Sequence, residues 1–180
     1  MIGEMQKFSV VMSVYHGDNP EHLESALISL KEQTIRASEI IISIDGPVGP
    51  EIESKLEKFS DQNEITIVRL KKNCGLAEAR NTAIRKCQQP LIAVMDADDI
   101  SLKDRFEKQL QAFRDESIDV VGGYIEEFNF TPGDQNIIRI VPTDVSEIKK
   151  FVKWRNPINH VTLMFKKEIF NSVGGYKTIR

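Results

Sequence analysis

Cysteine is scarce in this 180-residue chain. Cys74 and Cys87 are too few for a disulfide scaffold and read as two reduced thiols. Long apolar runs are missing as well: none approaches the roughly 18 residues that a membrane-spanning helix needs. The opening MIGEMQKFSV holds no apolar h-region, so no secretory signal is expected. A basic excess is also lacking. The net charge is −3, which argues against a broad nucleic-acid surface, and no nucleic-acid partner is expected. No basic amphipathic helix stands out. What is present is ordinary: 41% hydrophobic and 28% charged residues, too apolar for disorder and long enough for one domain with a core. The expected setting is cytoplasmic.

The apolar residues alternate between two periods. FSVVMSVY (Phe8 to Tyr15) is β-branched and aromatic and predicts a strand. Leu23, Ala26, Leu27 and Leu30 then recur at i, i+3, i+4 and i+7, the stripe of a helix, with Asn19 as N-cap before Pro20. EIIISID (Glu39 to Asp45) predicts a second strand, stopped by Gly46-Pro47, and Glu51 to Asp61 a second helix. Ile65 to Lys71, Leu76 to Cys87 and Leu91 to Met95 predict strand, helix, strand. Leu102 to Ser117 predicts a fourth helix, with Leu102, Phe106, Leu110 and Phe113 inward. Strands alternating with helices imply βαβ units and a parallel sheet, and the near-continuous runs VVMSV, IIIS and LIAVM suit strands buried on both faces. The fold class is therefore α/β.

After Glu116 the pattern changes. DVVGGYIEEFNF predicts one strand, TPGDQN a turn, and IIRIVP a strand antiparallel to it. DVSEIKKFVKW predicts a helix capped by Asp144 or Ser146, VTLMF a strand, and KKEIFNSV a short helix. Residues 1–115 read as one βα half and 116–180 as the start of a second, within a single domain. The chain stops at GGYKTIR without a cap or a finished element, as a truncated chain would.

In an open parallel sheet, ligands bind beyond the carboxyl ends of the strands, where strand order reverses. Those ends here read SVYHGD, IDGP, KKNCGLAEARN and DADD. A D-x-D is expected by chance about 0.6 times in such a chain at ordinary aspartate usage. The motif alone therefore says nothing; its place at the end of a buried strand does. In extended backbone, Asp96 and Asp98 point one way and Asp99 the other. Two converging carboxylates repel unless a hard cation such as Mg²⁺ or Mn²⁺ joins them, and such a cation completes its shell with water and substrate phosphates. The bland alternative is that Asp98, Asp99 or Ser101 caps the next helix. That does not account for Asp96. A calcium loop counted from Asp96 meets Glu107 at its twelfth position but has Ile100 and Ser101 where it needs a ligand and a glycine.

Gly75 lets the third loop turn into a helix whose free N–H groups attract an anion. Lys71, Lys72 and Arg80 add charge. Lys71 reads as a solvated surface cation; Arg80, one turn into the helix between Ala79 and Asn81, does not. Asp45 reads equally as a turn aspartate or as an acceptor for a base N–H or sugar hydroxyl. His160 is one histidine in a loop and more often structural than functional, and Cys74 has no base partner.

Taken in order, SVVMSVYHGD, IIISIDGP, KNCGLAEARNTAIRKC, VMDADD and GGY resemble family 2 glycosyltransferases of the GT-A fold. NPINHVTLMFKKEIFNSVGGY resembles a bacterial branch that builds surface polysaccharides and lipooligosaccharides. The resemblance implies a Rossmann-like, mostly parallel sheet with helices on both faces and a small antiparallel addition. It implies a nucleotide-sugar donor, usually UDP-linked, inverting transfer to a saccharide or lipid-linked saccharide, and Mn²⁺ or Mg²⁺. Val14 and Tyr15 would line the nucleotide pocket and Asp45 would bond the base. Lys72, Asn73, Gly75 and Arg80 would shape the base and diphosphate side. Asp96 would face the ribose and the metal's waters, and Asp98 would bind the metal. The family's general base follows its GGY segment, so here it is expected beyond Arg180. Membrane contact is expected only through the acceptor or a further C-terminal part. Two rivals remain. A sugar nucleotidyltransferase would want a glycine-rich turn after the first strand, where SVYHGD has one glycine. The other is a non-catalytic nucleotide-binding module.

Overall fold

The computed structural model describes residues 6–60 and 64–177. Asp61, at the end of the expected second helix, and the final residues 178–180 lie outside them. Strands β1 (Phe8–Val14), β2 (Glu39–Ile44), β3 (Ile65–Arg69) and β4 (Leu91–Asp96) alternate with helices α1 (Pro20–Lys31), α2 (Pro50–Ser60) and α3 (Leu76–Lys86). Helix α4 (Arg105–Ala112) follows. The remainder comprises β5 (Val120–Val121), β6 (Ile125–Glu127), β7 (Ile137–Arg139), α5 (Val145–Phe151), a 3₁₀ turn at His160–Thr162, β8 (Met164–Lys166) and α6 (Lys167–Val173).

The main sheet runs β3-β2-β1-β4-β8-β5. Its first four strands are parallel; β8 is antiparallel to β4, and β5 to β8. β6 and β7 form a separate antiparallel pair, as IIRIVP predicts. The chain thus leaves β1 for β2 and β3 on one side, then returns to place β4 on the other. The crevice between β1 and β4 is the reversal point where such sheets bind ligands.

Side-chain alternation splits the core in two. Val10, Met12 and Val14 of β1, with Ala93 and Met95 of β4, face α1, α2 and α4. Val11, Ile92 and Val94 face α3 and α6, meeting Ala83, Ile84, Cys87 and Phe170. Helix α1 begins where the sequence places it: Asn19 Oδ1 accepts the amides of Glu21 (2.8 Å) and His22 (3.3 Å). Asp144, not Ser146, caps α5, taking the amides of Ser146 and Glu147.

Three expectations need correction. Helix α4 starts at Arg105, so Leu102 is not on its inner face and is 72% exposed. The stretch before it is held open by Gln33, whose Nε2 donates to the carbonyls of Ser101 and Leu102, and by Ser29 Oγ, which accepts from Ser101 N. DVVGGYIEEFNF is two strands in different sheets, broken at Gly122-Gly123, where Gly123 N instead donates to Thr162 Oγ1. VTLMF is strand only from Met164, because Val161 and Thr162 belong to the 3₁₀ turn.

Candidate nucleotide site at the carboxyl edge of the sheet

Register brings the strand ends level. Val14 lies beside Ile44, and Ser13 beside Asp96. Asp45 N donates to Val14 O at 2.7 Å. The Asp45 carboxylate, only 4% exposed, reaches across to the loop after β3. Its Oδ1 accepts from Cys74 N (2.6 Å) and its Oδ2 from Gly75 N (2.9 Å). It is therefore a latch between two strand ends, not a turn residue bonding its own amides. Gly46, at φ +85°, allows the close approach: a Cβ there would sit 2.6 Å from Asn73 N. Gly75, at φ +87° and ψ 156°, ends the loop in a backbone conformation that favours glycine and stands as the N-cap of α3. Lys72 and Asn73 stay exposed on the rim.

Period two decides where Asp96 points. It follows Ile92 and Val94 on the α3 face of β4, where Arg80 waits on α3. Arg80 is 8% exposed, and its Nη2 pairs with Asp96 Oδ1. That ion pair answers one of the run's three carboxylates. Arg105 lies on the other side of β4. Its Nη2 donates to Val94 O (2.7 Å) and its Nε to Gln109 Oε1 (3.2 Å). Burial pulls its pKa down to about 10, while Asp99 and Asp96 oppose that fall.

The strand ends at Asp96, and Ala97–Asp98 form a turn. The expectation that extended backbone aims Asp96 and Asp98 together therefore does not hold. Nor does Asp99 cap α4, whose N-cap is Asp104 without a side-chain bond. Asp99 is half-buried, and its pKa rises to about 6, first through burial and then through the charges of Asp98 and Asp96. Asp98 is exposed. A fourth carboxylate, which sequence reasoning passed over, joins them from the first loop. Asp18 accepts from Tyr15 N (2.9 Å), and its pKa is raised by burial and then by Asp98 and Asp96. Gly17 leaves room for the Tyr15 ring, which a Cβ would meet at 2.6 Å.

A second tier lies behind the Arg80–Asp96 pair. Asn81 clamps the GGY segment: its Nδ2 donates to Tyr176 O (2.9 Å), and its Oδ1 accepts from Tyr176 N (2.8 Å). The Tyr176 ring then meets His160 edge-on at 5.4 Å. Burial, then Arg80, lower the His160 pKa, against the pull of Asp96; its buried Nε2 has no partner among the described residues. His160 thus stands beside the acid run, which its place in a loop did not reveal. The sequence signal for Asn81 is a polar residue facing inward on a helix next to Arg80.

A latched amide loop, a rim of lysine and asparagine, and a carboxylate run meet at a strand-order reversal, the place where open α/β sheets take their ligands. Comparison narrows that class. The model of the family "Glycosyl transferase family 2" matches residues 9–174, and the chain belongs to that family. It is 37% identical over 177 residues to the UDP-Gal:alpha-D-GlcNAc-diphosphoundecaprenol beta-1,3-galactosyltransferase of Escherichia coli, covering 98% of this chain and 64% of the relative. It is 34% identical over 170 residues to the amylovoran biosynthesis glycosyltransferase AmsE of Erwinia amylovora, covering 94% and 64%. The mannosyltransferase PcManGT of Pyrobaculum calidifontis, solved with GDP-Man and Mn²⁺, superposes with a TM-score of 0.70 at 17% identity, over 97% of this chain and 48% of that one. That likeness shows the GT-A fold. The chain spans about two-thirds or a little less of the curated relatives' length (64% of each named here).

Proposed function

We propose that this chain is the donor-binding portion of a glycosyltransferase. The whole protein would move a sugar from a UDP-linked donor to an acceptor hydroxyl with inversion, in bacterial cell-surface polysaccharide biosynthesis. One observation carries the reading: Arg80-anchored Asp96 and exposed Asp98 stand at the β1/β4 reversal, alongside a first loop pinned by Asp18. Family membership supports it, as do the UDP-Gal donor and the diphosphoundecaprenol-linked saccharide in the Escherichia coli relative's name. In this reading residues 1–115 hold the nucleotide-sugar and residues 116–180 begin the acceptor side. The acceptor is a saccharide or lipid-linked saccharide.

Each residue then has a task. Val14 and Tyr15 line the base pocket. Asp45 fixes the loop and offers its remaining lone pairs to a base N–H. Lys72, Asn73 and Gly75 shape the rim toward the base and diphosphate. Arg80 holds Asp96 with one oxygen engaged, leaving the other for the ribose or for water. Asp98 is the direct cation ligand. The donor set fits a hard cation: it is all oxygen, and after burial it is the charges of Asp98 and Asp96 that raise the pKa of Asp99 and Asp18. Among the described residues no three His, Cys, Asp or Glu gather as a ready-made cage. That suits an ion held by one or two carboxylates and otherwise by water and phosphates. Mn²⁺ or Mg²⁺ bound there would neutralise charge on the leaving diphosphate. The general base is assigned outside residues 1–180.

Calorimetry with a panel of nucleotide-sugars and Mn²⁺ tests this. UDP-sugars and UDP are expected to bind, with little sugar transfer by this chain. Preference for UTP plus a sugar 1-phosphate, with pyrophosphate release, would identify a nucleotidyltransferase instead. Rapid turnover by this chain would place the base within it.

A further inference from the structure

Helix α5 has no buried residue. It rests on Ile148 and Phe151, one turn apart and half-buried, and a turn carries the chain on through Arg155. Lys149, Lys150, Lys153 and Arg155 are all exposed, and none forms an ion pair among the described residues. Within residues 144–155 the acids are Asp144 and Glu147, and the Asp144 carboxylate is occupied as the helix cap. This cationic arm belongs to a chain whose net charge is −3, so its sign is local. Val145, Val152 and Trp154 accompany the lysines, exposed by 61%, 58% and 90%.

A solvated helix face accounts for the lysines. It does not account for a bare indole and two valines beside them. Indole favours the headgroup level of a bilayer, and clustered Lys and Arg favour its anionic lipids. We infer that Asp144–Arg155 is a membrane-contact surface that docks on an anionic lipid bilayer, with Trp154 in the interface and the lysines on headgroup phosphates. The nucleotide site plays no part in this inference. Its sequence signature is easily passed over, because the helix is only seven residues long and Trp154 falls in the turn after it.

Trp154 is the only tryptophan in the chain, so its emission reports the contact directly. The 180-residue chain is sedimented with vesicles of equal phosphatidylglycerol and phosphatidylcholine, and with phosphatidylcholine alone. Binding to the anionic vesicles is expected, with a blue shift of emission, and release in about 0.5 M salt. The triple variant Lys149→Glu, Lys150→Glu, Lys153→Glu should lose more than about tenfold in partitioning. Trp154→Ser should weaken partitioning with the charges intact, which keeps the test decisive if the triple variant melts early. Equal binding to both vesicles, no sedimentation at low salt, or undiminished binding by the charge-reversed chain would overturn the inference. So would a blue shift without lipid that tracks self-association in the ultracentrifuge.

Discussion

Asp96 holds two relationships at once: it neutralises a buried guanidinium, and it stands in a run of like charge. Arg80 is the side chain that makes this tolerable, since an acid at the end of a buried strand needs a partner. Removing Arg80 leaves that acid without one. Arg80→Met should therefore destabilise the fold by about 1–3 kcal/mol, read from the midpoint of urea unfolding. An unchanged midpoint would mean that water already serves Asp96. The two thiols divide as simply. Cys74 is exposed, whereas Cys87 is buried and its pKa is pushed up to about 11. One thiol should react with a disulfide reagent at neutral pH and the second only on unfolding. Arg80 and Asp96 were legible from position alone, because a helix and a strand each aim a residue by their period. Asp18 was not, because its approach depends on how the first loop folds back on Tyr15.

Elements are held in register by a few polar ties. Glu24 on α1 receives Lys55 (2.5 Å) and Lys58 (2.5 Å) from α2. Those bonds lower its pKa from 4.5 to about 2. Because the folded value is the lower one, the tie stabilises fully above about 4.5 and is lost as pH falls through about 2. The melting-temperature gap between the chain and Glu24→Gln should therefore be widest near neutrality and close as pH falls through that window. A gap independent of pH would rule out the ion pair as its source. At the other end of β2, Gly46 and Gly75 share a positive φ but differ in surroundings. Gly75→Ala should cost about 1–2 kcal/mol for conformation alone. Gly46→Ala should cost more and loosen the Asp45 latch, since its Cβ meets Asn73 N at 2.6 Å. Equal losses in the two unfolding curves would show that the close approach is unimportant. The helix and strand periods predicted these elements well, but not where α4 begins. Leu102 fits the stripe in sequence, yet Gln33, some 70 positions away, holds that segment in a turn. No local pattern carries that information.

For the molecule as a whole, the strand–helix alternation over residues 1–115 was enough to imply the parallel sheet, and with it the edge proposed here for the ligand. The pairing of β8 and β5 onto that sheet was not legible, because strands of three and two residues leave little periodic signal. The 3₁₀ turn before β8 and the segment after α6 bring His160 and Tyr176 beside the Arg80–Asp96 pair. Among the described residues no helix is long and apolar enough to cross a membrane. We propose that the carboxyl edge binds a nucleotide diphosphate through a cation on Asp98. The most direct test is a titration of UDP, with and without Mn²⁺, into the chain and into Asp98→Asn. Mn²⁺ should strengthen UDP binding to the unaltered chain, and Asp98→Asn should remove most of that gain, a loss of about tenfold or more in affinity. Equal metal dependence in the two proteins would contradict it.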